Sequence, residues 1–147
     1  FTMLKQFGDG TLKSGMPRWG VGVVDVRDLG EAHYLAGFTP SAKGRYITSA
    51  HNTDLSDLAA PLREAFGDSY PFPKRKMPKW LVWLVGPLAN KLMTRKMISR
   101  NVGIPWQADN SKGKRELGLS YRPLEESVVD FFQQMIDVGA FSPAKGR

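Results

Sequence analysis

The sequence predicts an α/β fold, in which helices alternate with a few short strands. Three observations support this prediction: a valine-rich run at residues 21–26, an extended run at residues 44–49, and helical spacing of apolar residues around them. Two convincing strands and two weaker extended pieces are too few for a self-sufficient doubly wound sheet. We therefore expect an incomplete sheet that belongs to something larger.

The first half of the chain is predicted to alternate helix and strand. Residues 1–7 form the tail of a helix, and a glycine-rich loop then leads to the strand at 21–26. Asp25 or Asp28 begins the next helix, and Gly37 and Pro40 end it. The predicted apolar face of that helix comprises Leu29, Ala32, His33 and Ala36.

The helix with the clearest apolar pattern follows the second strand. Asn52, Thr53 or Asp54 can cap it by accepting free backbone N–H groups, and Gly67 is expected to end it. Its apolar positions are Leu55, Leu58, Ala59, Leu62, Ala65 and Phe66. The proline-rich residues 70–73 then predict an extended connector.

The second half is predicted to be mainly helical. Pro78 begins a helix that Gly86 and Pro87 end or kink, and a basic helical piece covers residues 88–99. Residues 105–108 form a short extended piece. A helix capped by Asp109, Asn110 or Ser111 then ends at Gly118, and Pro123 opens the last helix. The apolar stripe of the last helix comprises Leu124, Val128, Phe131, Phe132, Met135 and Ile136.

Composition excludes several classes of site. The 147 residues contain no cysteine and two histidines, which excludes disulfides, thiolate chemistry and a histidine-rich metal centre. The longest apolar run, residues 80–89, is half the length of a membrane span, and no secretory leader precedes it, so we expect a cytoplasmic protein. Because the chain starts at Phe1, we also expect polypeptide upstream of it.

Positive charge is concentrated in the second half of the chain. Residues 74–115 hold eleven basic residues and one acidic residue, Asp109. This segment indicates either a solvated basic face or attraction to an anion. Trp80 and Trp83 beside it are expected to be core or a lid over a pocket, so a membrane-surface role is disfavoured, as is nucleic-acid binding.

Catalytic motifs are missing from the sequence. No glycine-rich phosphate loop lies between a strand and a helix, and Gly20 and Gly22 precede their strand instead of following it. Tyr70 and Lys74 have the spacing of a proton-transfer pair, but prolines between them keep the chain extended. We expect His33 to be a packed, hydrogen-bonded residue and His51 to have a surface role at a turn.

Four blocks in order resemble the C-terminal half of extended short-chain dehydrogenases/reductases, in the branch of dihydroflavonol reductase-like and NAD-dependent epimerase/dehydratase proteins. They are VVDVRDLGEAH at residues 23–33, GRYI at 44–47, YPFP at 70–73, and DNSKGKRELG at 109–118 followed by RPLEES at 122–127. The resemblance implies that residues 1–147 form one substrate-binding portion. It also implies that the cofactor loop, the catalytic Ser/Thr and the Tyr-x-x-x-Lys pair lie on an N-terminal Rossmann part that is absent here.

The resemblance implies an activity for the whole enzyme. It would be an NAD(P)H-dependent oxidoreductase that reduces an aldehyde or ketone, and this chain alone would be inactive. NAD or NADP would be bound mainly by the missing part, and residues 45–49 would return a strand to its sheet. A nucleotide-sugar epimerase or dehydratase on the same scaffold, and a non-enzymatic module that binds anions or a membrane surface, remain alternatives.

The loop before the first strand matches a family segment that lines the substrate pocket. We therefore expect Met16, Pro17, Trp19 and Gly22 to contact substrate, and no catalytic, cofactor-binding or metal-binding residue on this chain. The expected partners are a small carbonyl substrate and the missing Rossmann part, with a homodimer left open. Asp25, Arg27 and Asp28 are expected to join the two parts through charge-assisted hydrogen bonds.

Overall fold

The computed structural model describes residues 2–90 and 93–141. These residues form seven α-helices and four short strands, which confirms an α/β fold. The helices are Thr2–Gly8 (α1), Val26–Phe38 (α2), Ala59–Phe66 (α3), Lys79–Ala89 (α4), Arg95–Asn101 (α5), Ser111–Leu117 (α6) and Leu124–Asp137 (α7). The strands are Met16–Pro17 (β1), Gly20–Val23 (β2), His51–Asp54 (β3) and Lys76–Met77 (β4).

The strands pair in two separate ladders. β1 runs parallel to β4, with Met16 opposite Lys76. This corrects the prediction of a loop through Pro17. β2 runs antiparallel to β3, with Gly20 opposite Asp54. His51 therefore lies in a strand and not at a turn, and its Nε2 lies 2.8 Å from the Arg122 carbonyl oxygen.

The first predicted strand is shorter than the valine run. The Asp25 side chain accepts the Arg27 N–H at 2.8 Å and caps α2, so the strand ends at Val23 and the helix already begins at Val26. The carboxylate at this junction therefore ends the run of extended backbone. Asp25, one of the two predicted caps, is confirmed.

Residues 44–49 do not form the predicted strand. No backbone–backbone hydrogen bond joins them to another residue of the described ranges, because β3 occupies the available edge of β2. Side chains hold this segment instead. Lys112 Nζ donates to the Lys43 carbonyl at 2.6 Å, and Asn110 Nδ2 donates to the Ser49 carbonyl at 2.8 Å. The segment thus keeps a fixed course without a strand partner.

The predicted apolar face of α2 is partly wrong. Ala32 is buried as expected, but Ala36 and His33 are exposed, and the buried polar residue of this helix is Asp28. His33 makes its hydrogen bond locally, with Nδ1 2.7 Å from the Leu29 carbonyl oxygen. The helix turns Asp28 inward because Arg122 pairs with it there.

The main core lies where α3 packs on α7. Residues 55–58 form a 3-10 turn capped by Asp54, and α3 continues to Phe66 and ends at Gly67, whose φ of 58° favours glycine. This confirms the predicted cap and stop. Phe132 of α7 is fully buried against aromatic rings of the 70–72 connector. The buried members of this core are Phe7, Met16, Leu58, Ala59, Leu62, Tyr70, Phe72, Val128 and Phe132.

Helix α4 contradicts two predictions. It continues through Pro87 to Ala89, so Gly86 and Pro87 do not end it, and a kink there stays a prediction. Pro87 lacks only its own backbone N–H, which leaves the next two residues able to stay helical. Trp80 and Trp83 are neither core nor a covering lid in this structure, since both are exposed. The helix buries Val82 and Gly86 instead, against a small cluster formed with α5.

The remaining helices follow the sequence more closely. α6 ends at Gly118 with a left-handed backbone, as predicted, and α7 begins after Pro123, which lies at the cap position one residue before the predicted one. The basic helical piece is shorter than predicted and starts at Arg95. Phe1, Lys91 and Leu92, which belong to predicted helical segments, lie outside the described residues. Residues 105–108 form no strand.

Candidate functional site

The four residues predicted to contact substrate point to different parts of the molecule. Met16 is 4% exposed and belongs to the main core, and Pro17 pairs with Met77 in the β1–β4 ladder. Trp19 packs against the cluster between α4 and α5. Gly22 lies in β2, against Ser49 and Trp106. The structure does not gather them around one cavity, and their contact with substrate stays a prediction.

The glycines of β2 allow a loop to cross the strand closely. A Cβ at Gly20 would lie 2.6 Å from the Ile104 carbonyl oxygen, and one at Gly22 would lie 2.6 Å from Trp106 Nε1. Any larger side chain would therefore displace the loop at residues 104–106. Trp106 is half exposed here and was not singled out from the sequence, because nothing local links it to a strand 84 residues earlier.

An apolar groove of about 800 Å³ opens where the β2–α2 junction meets α1 and α7. The two faces of β2 have different neighbours: Gly20 and Gly22 face the 104–106 loop, and Val23, on the other face, lines the groove. Val26 is 78% exposed beside it. The apolar side chains that line the groove are Met3, Leu4, Val23, Val24, Val26, Leu58, Val128 and Phe131.

The sequence contains only part of the signal for this groove. The continuous valine run predicts a strand buried on both sides, and the structure leaves one of those sides open. Phe131 was predicted on the buried stripe of α7, and it instead borders the open groove. The groove could not be foreseen, since its walls come from opposite ends of the chain.

Charged side chains form one rim of the groove. Arg27 Nη2 lies 2.8 Å from Asp25 Oδ2, 2.9 Å from Asp130 Oδ2 and 3.6 Å from Glu126 Oε1. The Arg27 hydrogen bonds hold the pKa of Asp25 far below its usual range, and Asp25 in turn raises the pKa of Arg27. Three carboxylates surround one guanidinium, so this rim is net negative.

A second ion pair joins α2 to the segment before α7. Asp28 is 2% exposed, accepts the Arg122 backbone N–H at 2.8 Å and also pairs with the Arg122 guanidinium. The aspartates and arginine that were expected to join two parts of an enzyme therefore join elements within this chain. They link the first block of the family resemblance to the last one.

Tyr70 and Lys74, which have the spacing of a proton-transfer pair, lie in different surroundings. Tyr70 is buried in the core, and burial raises its pKa, whereas Lys74 pairs with Asp68 on the surface at 3.0 Å. A non-helical stretch separates Tyr70 from Lys74, so the two do not share a helical face, as expected. Within residues 2–90 and 93–141, no cluster of three metal-ligating side chains is present.

The β2–α2 junction does not fit the pyrophosphate of a dinucleotide. A phosphate site at the β2–α2 junction would need free N–H groups at the start of the helix. Here Asp25 places a carboxylate at that end and takes the Arg27 N–H itself. The negative charge and the occupied donor both oppose a pyrophosphate at this junction.

Comparison with known proteins gives a likeness of fold. No protein-family model matches the chain, and no curated protein matches it. The crystal structure of gox2253 is similar, with a TM-score of 0.70 and 22% sequence identity. The match covers 96% of this chain and 44% of that chain, so this chain spans less than half the length of its structural neighbour.

Proposed function

We propose that this chain is the substrate-side C-terminal portion of an NAD(P)H-dependent oxidoreductase that reduces an aldehyde or ketone. The proposal starts from the four sequence blocks that resemble extended short-chain dehydrogenases/reductases. The observation that supports it most is the open apolar groove at the first of these blocks. A groove of this size, walled by valines and Phe131, is suited to cover by further polypeptide.

Two further features agree with a missing partner. Residues 44–47, which resemble the family's strand, have no backbone partner within the described ranges. The outer face of α2 also exposes Tyr34 and Phe38, both more than half accessible to solvent. In the proposed enzyme, the Rossmann part would cover these surfaces, bind NAD or NADP and carry the catalytic tyrosine. This chain would close the substrate side and exclude water.

Activity of a longer polypeptide tests the proposal directly. We expect the protein expressed with its upstream coding sequence to oxidise NADPH or NADH in the presence of aldehydes or ketones. The 147-residue chain alone should show neither turnover nor dinucleotide binding. Turnover of nucleotide sugars without net cofactor oxidation would favour the epimerase alternative. Tight dinucleotide binding by the chain alone would refute our placement of the cofactor.

A pair of surface variants tests whether the groove is covered. Val26→Glu places a charge at the groove, in the first turn of α2, where the helix dipole tolerates it. We expect no loss of stability in the chain alone, but roughly tenfold or greater loss of activity in the longer polypeptide, because a charge would be buried. Val138→Lys, at another exposed valine and at the end of α7 where the helix dipole tolerates a cation, is the control and should leave both unchanged.

A further inference from the structure

Helix α4 presents an apolar stripe to solvent. Trp80 is 67% exposed and Leu88 is 88% exposed, and Trp83 and Leu84 are also exposed between them. Their spacing of three, four and eight residues places all four on one side of the helix. The opposite side is already used, since Val82 and Gly86 pack on α5. The stripe is therefore exposed to solvent, because the helix already packs through its other side.

Basic side chains lie beside this stripe and on the segments next to α4. Arg95 of α5 lies over the Trp83 ring, 4.6 Å from its centroid, and Lys79 donates to the Ser99 carbonyl at 2.7 Å. Arg75, Lys96 and Arg100 are exposed, and none has a carboxylate within ion-pair distance in the described part of the chain. This edge of the molecule thus combines apolar area with unneutralised positive charge.

We infer that α4 and α5 form a docking surface for an anionic phospholipid membrane. Tryptophan is favoured at membrane interfaces, where its ring enters the acyl boundary while its N–H stays hydrated. Arginine and lysine around it would pair with lipid phosphates. At 11 residues α4 is about 16 Å long, which suits a helix lying in the interface. None of the described helices has the length and apolarity needed to cross a bilayer.

Other occupants fit the surface less well. A second copy of the chain would bring the same positive charges against the first, which opposes pairing through this face. Bases of single-stranded nucleic acid could stack on Trp80 and Trp83, but they would leave the exposed leucines Leu84 and Leu88 unburied. An anionic lipid surface can bury the leucines and pair its phosphates with the arginines. This inference does not depend on the proposed reductase activity.

Cosedimentation with vesicles tests the inference. We expect the chain to bind vesicles containing about 30 mol % phosphatidylglycerol, and to bind pure phosphatidylcholine much more weakly. Raising the salt from about 50 mM to about 500 mM should weaken binding roughly tenfold or more, because it screens the surface charges. Failure to bind anionic vesicles at low salt would overturn the inference.

Matched variants locate the contact on α4. Leu84→Ser with Leu88→Ser should reduce binding roughly tenfold or more, since the leucines supply buried apolar area. Tyr34→Ser with Phe38→Ser removes comparable exposed side chains from α2, which packs on α6, and should leave binding unchanged. Equal losses in both pairs would refute a specific surface. Sedimentation velocity would also refute it if the leucine pair abolished a dimer while vesicle binding was absent.

Tryptophan quenching distinguishes insertion from simple adsorption. Brominated lipids should quench the fluorescence of the bound chain, because Trp80 and Trp83 enter the acyl boundary. Replacing both by phenylalanine should preserve binding but remove most of the quenching, although Trp19 and Trp106 remain. Unchanged quenching would place another face on the membrane and refute the inference. The longer polypeptide should behave in the same way, and its failure to bind anionic vesicles would overturn the inference.

Discussion

Replacing Asp28 by alanine removes only a few atoms, but it should destabilise the chain strongly. The carboxylate is buried and accepts two donors from Arg122, one of them the backbone N–H at 2.8 Å. Removing one partner of a buried ion pair costs about 3–5 kcal/mol, and leaving a backbone donor unpaired is part of that cost. Since the Arg122 side chain is 36% exposed and can regain water, we expect about 3 kcal/mol.

Urea unfolding followed by far-ultraviolet circular dichroism measures this loss. The midpoint should fall while the dependence on urea stays unchanged, because the same surface unfolds. Asp28→Asn, which keeps an acceptor, should cost about 1–2 kcal/mol. The control is Asp57→Ala, since Asp57 pairs with Lys76 at 2.6 Å on the exposed surface, and should change stability by less than about 1 kcal/mol. Equal effects of the two alanine variants would refute the argument.

Three further predictions concern stability. Because the pKa of Asp25 is lowered in the folded chain, its pairing with Arg27 stabilises the fold above pH about 4, and this stabilisation is lost at lower pH. Asp25→Asn should therefore lower the free energy of unfolding at neutral pH, by an amount that shrinks in acid. A difference between the two proteins that stays constant with pH would contradict this. Gly20→Ala should lower the stability by about 1–3 kcal/mol, because its methyl group clashes with the 104–106 loop. Gly30→Ala in α2 has open space around it and should raise the stability by about 0.5–1 kcal/mol. Thermal melts in which both variants shift the midpoint in the same direction would contradict this. Phe132→Ala should cost about 3–5 kcal/mol in denaturant titrations, and a loss below about 1 kcal/mol would place the core elsewhere.

The sequence predicts the fold best where local chemistry decides. Gly67 and Gly118 end their helices with positive φ, and Asp25 and Asp54 cap theirs through their own side chains. Each of these events involves residues within one or two turns of each other. A single sequence is therefore sufficient to place them.

Strand pairing and helix orientation depend on distant residues, and there the predictions fail. The sequence predicts a strand at residues 44–49, but the strand that forms is 51–54, which pairs with β2, and no local pattern distinguishes the two segments. Helix α4 is apolar nearly all round, so its sequence cannot say which side packs on α5. The structure selects Val82 and Gly86 because Ile98 fits against the small Gly86. The candidate groove is missed for the same reason, since three separate elements build it.

The two open apolar surfaces differ in charge, and this difference argues for two different occupants. Carboxylates dominate the rim of the groove around Arg27, whereas arginines and lysines lie beside the stripe on α4. An anionic membrane would be repelled by the first rim and attracted by the second. Further polypeptide packed on Val26 would instead depend mainly on apolar burial, which salt does not weaken. Raising salt should therefore release the chain from vesicles, while in the longer polypeptide Val26 should stay covered. If salt removed both the vesicle binding and the cover over Val26, the assignment of two different occupants would be contradicted.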